Sequence, residues 1–157
     1  MDPAAQRQIA VDLFNHTWTL LDKADRSERE TDLMLHAAHG SRFFWEEIGE
    51  PVNHARGEWQ LARCYAVAGR AEPALHHAHR CLALCEEHGI GDFDLAFAHE
   101  ALARAHAVAG DTDAAAEHER LARAAADAIA EADDRELVLS DLETLSQASR
   151  PADRAAG

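Results

Sequence analysis

The chain has 157 residues, is 47% hydrophobic and carries a formal net charge of −14 with histidine neutral; at this length one domain can bury roughly 70% of its extended surface without a disulfide or metal staple. Such a charge repels phosphate backbones and anionic lipid, which excludes nucleic acid and membrane as partners and favours cationic groups. No apolar run approaches the roughly 20 residues of a membrane helix, and the N-terminal stretch MDPAAQRQIAVDLF lacks the basic region of a signal peptide, so a cytoplasmic protein is expected.

Good helix formers dominate almost every segment, and no strand-like alternation persists. Pro3 fits the first turn of a helix over 4–24. Ser27 and Glu30 form a capping-box pattern that opens a helix over 28–48; Gly40-Ser41 inside it predicts a kink. Gly49-Glu50-Pro51 ends that helix and starts one over 52–68. Gly69 and Gly110 sit where helices need a left-handed terminal residue, Gly89 and Gly91 break the chain again, and Asp92 can cap the next helix. These marks predict helices over 71–88, 93–109 and 112–132. A shorter helix over 134–147 carries an apolar stripe of Leu137, Val138, Leu142 and Leu145 that would close the end of a stack. Residues 1–148 read as one helical domain and 149–157 as a disordered tail.

Residues 61–69, LARCYAVAG, recur as LARAHAVAG at 102–110, with seven of nine positions identical at an offset of 41 residues, a spacing in the range of helical repeat arrays. The unit resembles a tetratricopeptide repeat. That family's large, small, aromatic and glycine positions fall on Leu61, Ala62, Tyr65, Gly69, Ala74 and Cys81, then on Leu102, Ala103, His106, Gly110, Ala115 and Ala122. His106 stands where the family has an aromatic residue, and the 41-residue period exceeds the usual 34 or so. The stretch from Asn15 to Tyr65 is also similar to small bacterial helical-repeat proteins. The resemblance implies an all-α solenoid of three antiparallel helical hairpins with a C-terminal capping helix.

In such arrays the first helix of each hairpin lines a concave groove. The ligand-facing positions correspond to Arg56, Trp59 and Arg63, and then to Phe97, Glu100 and Arg104; spacings of three and four residues independently put each trio on one face. Gln60 lies beside them, and Asn15, His16, Thr19 and Asp22 fall nearby on the first hairpin. Guanidinium groups clamp carboxylates and tryptophan gives an apolar platform. The first functional reading is therefore a binding module whose concave face holds a peptide, a protein or a small acidic ligand. The competing structural reading pairs Arg56 and Arg63 internally with Glu58, Asp94 or Glu100.

A second functional reading, a small-molecule enzyme or metal-dependent sensor, centres on His36 and His39, whose spacing allows one divalent ion to be shared, with Arg42 and Gln60 nearby. The remaining ligands would have to come from His16, Asp22, His54 or Glu100. No other cofactor is expected. His76, His77 and His79 read as a solvated or adventitious cluster, and His77 aligns with His118 in the repeat. Of Phe43, Phe44 and Trp45, at least two are expected in the core, and Trp18 inside the first hairpin. Cys64, Cys81 and Cys85 read as small buried thiols. There is no GxSxG, P-loop or GxGxxG motif. Self-association is a third reading.

Overall fold

The computed structural model describes residues 1–148 and is all-α among them. The helices are α1 (Pro3–Leu21), α2 (Glu28–Ile48), α3 (Pro51–Val67), α4 (Ala71–His88), α5 (Asp92–Ala109), α6 (Thr112–Asp127), α7 (Ala132–Glu143) and the single turn α8 (Leu145–Ala148). The tail expected over 149–157 lies outside the described residues. No described helix is long and apolar enough to cross a membrane.

The helix starts follow from local chemistry. Asp2 accepts the Ala5 N–H at 3.2 Å ahead of Pro3. Ser27 and Glu30 form the reciprocal capping box, at 3.1 and 3.0 Å. Asp111 accepts the Ala114 N–H at 3.1 Å. Gly69, Gly89 and Gly110 all take left-handed φ, between 63° and 80°, a conformation that lets a helix end without a Cβ clash.

Several boundaries differ from the sequence reading, each for a tertiary reason. α1 stops at Leu21 because the Arg26 guanidinium caps it, donating to the carbonyls of Leu20, Leu21 and Lys23 at 3.1, 2.8 and 2.6 Å. α6 stops at Asp127 because Ile129, 1% exposed, plugs the core in the following turn, with its carbonyl held by Arg135 at 3.0 Å. Gly91 rather than Asp92 is the N-cap of α5, and Asp92 takes φ 59°. The final helix breaks at Thr144 into α7 and α8. Gly40-Ser41 does not interrupt α2; the pair lets α1 approach, with Ser41 donating to the Ala10 carbonyl at 2.8 Å and a Cβ at Gly40 falling 3.0 Å from Leu13 Cδ1.

Consecutive helices pack against one another, most extensively as the pairs α1–α2, α3–α4 and α5–α6, with α3 also against α5 and α7 against both α5 and α6. The core is rich in alanine: Ala62, Ala66, Ala74, Ala78, Ala101 and Ala105 share one cluster with Leu102. Small side chains let the axes come close while excluding water. Val138, Leu142 and Leu145 close the far end on Phe97, Ala122, Ala126 and Ile129, and Leu137, from the predicted stripe, stays 52% exposed. Trp59 packs against three separate clusters.

The internal repeat is visible in ring packing. Tyr65 and His77 stack at 5.7 Å with planes 2° apart; the residues 41 positions on, His106 and His118, stack at 5.5 Å and 5°. Of the three consecutive aromatics, Trp45 is buried, Phe44 half-buried and Phe43 exposed. All three cysteines are free and buried. Burial pushes the Cys64 thiol up to about 12, which leaves it inert.

Candidate functional site

One cavity of about 380 Å³ collects the groups the repeat pattern pointed to. Its wall comprises Phe14 and Trp18 from α1, Ala55, Arg56 and Trp59 from α3, Cys81 from α4, Phe93, Asp94 and Phe97 from α5, and Leu137 and Asp141 from α7. The sequence holds three Trp, one Tyr and five Phe, and five of these rings stand here. They form a chain of contacts: Trp18 to Trp59 at 5.4 Å, Trp59 to Phe97 at 5.2 Å and Phe97 to Phe93 at 4.8 Å, within the range of favourable aromatic pairs. Trp18 therefore packs across to α3 rather than inside the first helix pair. Phe93 and Phe97 are one turn apart, as are Phe14 and Trp18, so each helix turns two rings toward the cavity.

Behind the rings lies a buried charge network. Glu100 is fully buried. It accepts Nε of Arg104 at 2.8 Å, and Trp59 Nε1 and Arg63 Nη2 at 3.4 Å each. Trp59 and Glu100 are repeat equivalents, 41 residues apart, as are Arg63 and Arg104, so two like positions converge on one carboxylate. Burial by itself raises the Glu100 carboxyl, but the two guanidinium groups outweigh it and hold the group below its ordinary value. The C-terminal segment completes the network. Arg63 Nη2 donates to Asp141 Oδ2 at 2.7 Å, and Arg104 Nη2 donates to the Asp141 carbonyl at 3.1 Å and to Thr144 Oγ1 at 2.7 Å. Arg63 Nε and Gln60 Oε1 are buried without a hydrogen-bond partner among the described residues.

At the rim Arg56 forks onto Asp94, at 2.9 and 3.1 Å. Arg56, Arg63 and Arg104 thus each hold a carboxylate of the chain itself, the arrangement of the structural reading. Arg56, Trp59 and Phe97 reach the cavity wall; Glu100 and Arg104 lie behind it, and Arg63 meets it through Asp141. Gln60 does not take part. It is 1% exposed and donates to the Phe14 carbonyl at 3.0 Å, latching α3 to α1. Phe14, Phe93, Leu137 and Asp141 were not singled out as ligand-facing from the sequence. The one-turn spacing of the phenylalanines was an available signal, whereas Asp141 follows Arg63 by 78 residues and carried none.

His36 and His39 lie elsewhere. Both are exposed. His39 Nε2 is 2.8 Å from the Tyr65 hydroxyl and its ring meets His77 edge-on at 5.5 Å. An open cleft of about 340 Å³ is lined by His39, Arg42, Phe43, Glu46, Glu58, Leu61 and His77, without His36. In it Glu58 accepts Arg42 Nε at 3.0 Å and contacts His77 Nδ1 at 2.7 Å. Arg42 reaches across because residue 57 is glycine: a Cβ there would fall 2.7 Å from Arg42 Cδ. Among the described residues no three His, Cys, Asp or Glu side chains converge as a metal-ligand set. A second histidine group joins α4, α5 and α6. His79 meets His106 at 6.2 Å, His106 stacks on His118, and His118 Nδ1 is 3.4 Å from His99 Nδ1.

Compared with known protein families, curated proteins and solved structures, the chain matches none.

Proposed function

We propose that the chain is a tetratricopeptide-like binding module, three helical hairpins closed by α7 and α8, whose concave face presents the aromatic cavity to a small apolar ligand or to one apolar side chain of a peptide. The repeat-equivalent ring stacks and the meeting of Trp59 with Glu100 support the array. The single observation that carries the function is the gathering of five aromatic rings, from three different helices, around one open cavity of about 380 Å³. A protein core of this alanine-rich kind closes such spaces; an open cavity with few polar groups is the form of a ligand site. The arginines position the wall by gripping carboxylates of the chain, so this reading replaces the acidic ligand with an apolar one.

Titration with the neutral dye N-phenylnaphthylamine, read by quenching of Trp18 and Trp59, tests the proposal. Saturable binding to one site is expected. Leu137→Asn, at an exposed position on the wall, should weaken it about fivefold, since roughly 1 kcal/mol of apolar burial is lost. Absence of saturation, or a variant with unchanged affinity, rejects the reading. The second reading places acid–base chemistry in the outer cleft, where Glu58 orients His77 beside His39. It requires His39→Gln to abolish a measurable turnover, while Leu137→Asn leaves that turnover intact.

A further inference from the structure

We propose that the ligand of the aromatic cavity is a cation, a small aryl- or alkylammonium group whose apolar body lies among Phe14, Trp18, Trp59, Phe93 and Phe97 and whose charge meets Asp141. This rests on the cavity being the binding site and names the chemistry it selects. Three observations converge on it.

The charges on the wall are Arg56, Asp94 and Asp141. Arg56 and Asp94 form a two-pronged pair and cancel, leaving Asp141 as the group that gives the cavity its sign.

Asp141 is a partly buried carboxylate with one oxygen engaged. Oδ2 holds Arg63, while Oδ1 makes no hydrogen bond among the described residues. Arg63 and Arg104 together face Glu100 and Asp141, and of the two only Arg63 reaches the Asp141 carboxylate. Burial, with Glu100 close by, pushes the Asp141 carboxyl above its ordinary value despite Arg63 and Arg104. A ligand cation in the cavity meets that unengaged Oδ1.

The surrounding rings suit the same ligand. The faces of Trp18 and the phenylalanines attract ammonium groups, that of Trp59 already lying under Arg63 at 5.6 Å, and the net charge of −14 draws cations toward the protein before contact. An anionic ligand finds the opposite: each arginine at or behind the wall already holds a carboxylate.

Three probes of matched size separate the alternatives by calorimetry at neutral pH: phenethylammonium, phenethyl alcohol and phenylpropionate. The ammonium is expected to bind about tenfold tighter than the alcohol, with the carboxylate weakest. In Asp141→Asn the advantage of the ammonium over the alcohol should shrink to about twofold; a thermal melt confirms that the variant is folded. The probe series on the unaltered protein decides the matter even if the variant fails to fold. If the alcohol binds as tightly as the ammonium, the charge preference is wrong and the apolar cavity stands. If phenylpropionate binds tightest, the arginines are the true ligands and the inference falls. If none of the three binds, the cavity reading falls with it.

Discussion

Replacing Glu100 with glutamine removes one of two negative charges that balance Arg63 and Arg104 and leaves the rest of the network in place. The side chain of Glu100 is 0% exposed, and those of Arg104 and Arg63 are 7% and 14% exposed, so water cannot replace the lost charge. Removing one partner of a buried ion pair costs about 4 kcal/mol, because a desolvated charge is left behind. A domain of this size has a total stability of roughly 10 kcal/mol, so the variant should fold at room temperature but melt roughly 10 °C lower. The assay is urea and thermal unfolding of the single variants Glu100→Gln and Arg104→Met and of the double variant. The double variant pairs Arg63 with Asp141 alone and restores neutrality, so a coupling energy of about 2 kcal/mol is expected. The pH profile adds a check. Glu100 is held below its ordinary 4.5 in the folded state, so its contribution is complete above 4.5 and is lost as pH falls through the lowered native value; the glutamine variant lacks that step. A cost under about 1 kcal/mol with no coupling would mean the cluster is hydrated, and the reasoning would fail.

Partial burial holds His99 and His118 below the ordinary histidine value of 6.5, with neighbouring histidines adding to the shift at His118. The unfolded chain therefore binds more protons, and stability should be full above 6.5 and fall as pH drops below it; the double variant His99→Gln, His118→Gln should flatten the urea midpoint against pH, and an unflattened profile refutes the assignment. Asp92 holds a left-handed φ of 59°, so Asp92→Gly should stabilise by up to about 1 kcal/mol in thermal melts, and a net loss would count against the strain. Leu142→Ala, at a residue 1% exposed in the terminal cluster, should cost about 3 kcal/mol, measured by urea unfolding; a cost near zero would show that α7 is not docked.

Helix starts were legible where a side chain caps them locally, as at Ser27 and Asp111, and less so at α5, where Gly91 caps without a side chain. The early end of α1 was not, because it depends on Arg26 folding back onto carbonyls from outside the helix. The site divides in the same way. Arg56, Trp59, Phe97, Glu100 and Arg104 could be placed near one another from the 41-residue offset, since equal positions of stacked units emerge on one side. Their partners could not. Asp141 belongs to a segment outside the repeat, so no register relates it to Arg63, and only the docking of α7 brings the two together. Trp18 sits in the first helix pair, where the repeat signature is weak, and its neighbour Trp59 is a long-range contact. Gln60 looked available through adjacency alone; rotation about the helix axis aims it into the interface with α1 instead.

The late position of Asp141 and Thr144 has a consequence for synthesis on the ribosome. Chains grow from the N-terminus and domains begin to fold as they emerge, so Arg63 and Arg104 are made well before the residues that complete their coordination. Until α7 is released, two cations share a lone glutamate, and Phe97, Ala122 and Ile129 face solvent where Val138 and Leu142 will later lie. A chain cut short before residue 138 would therefore leave Arg63 and Arg104 sharing Glu100 alone and the apolar faces of Phe97, Ala122 and Ile129 uncovered.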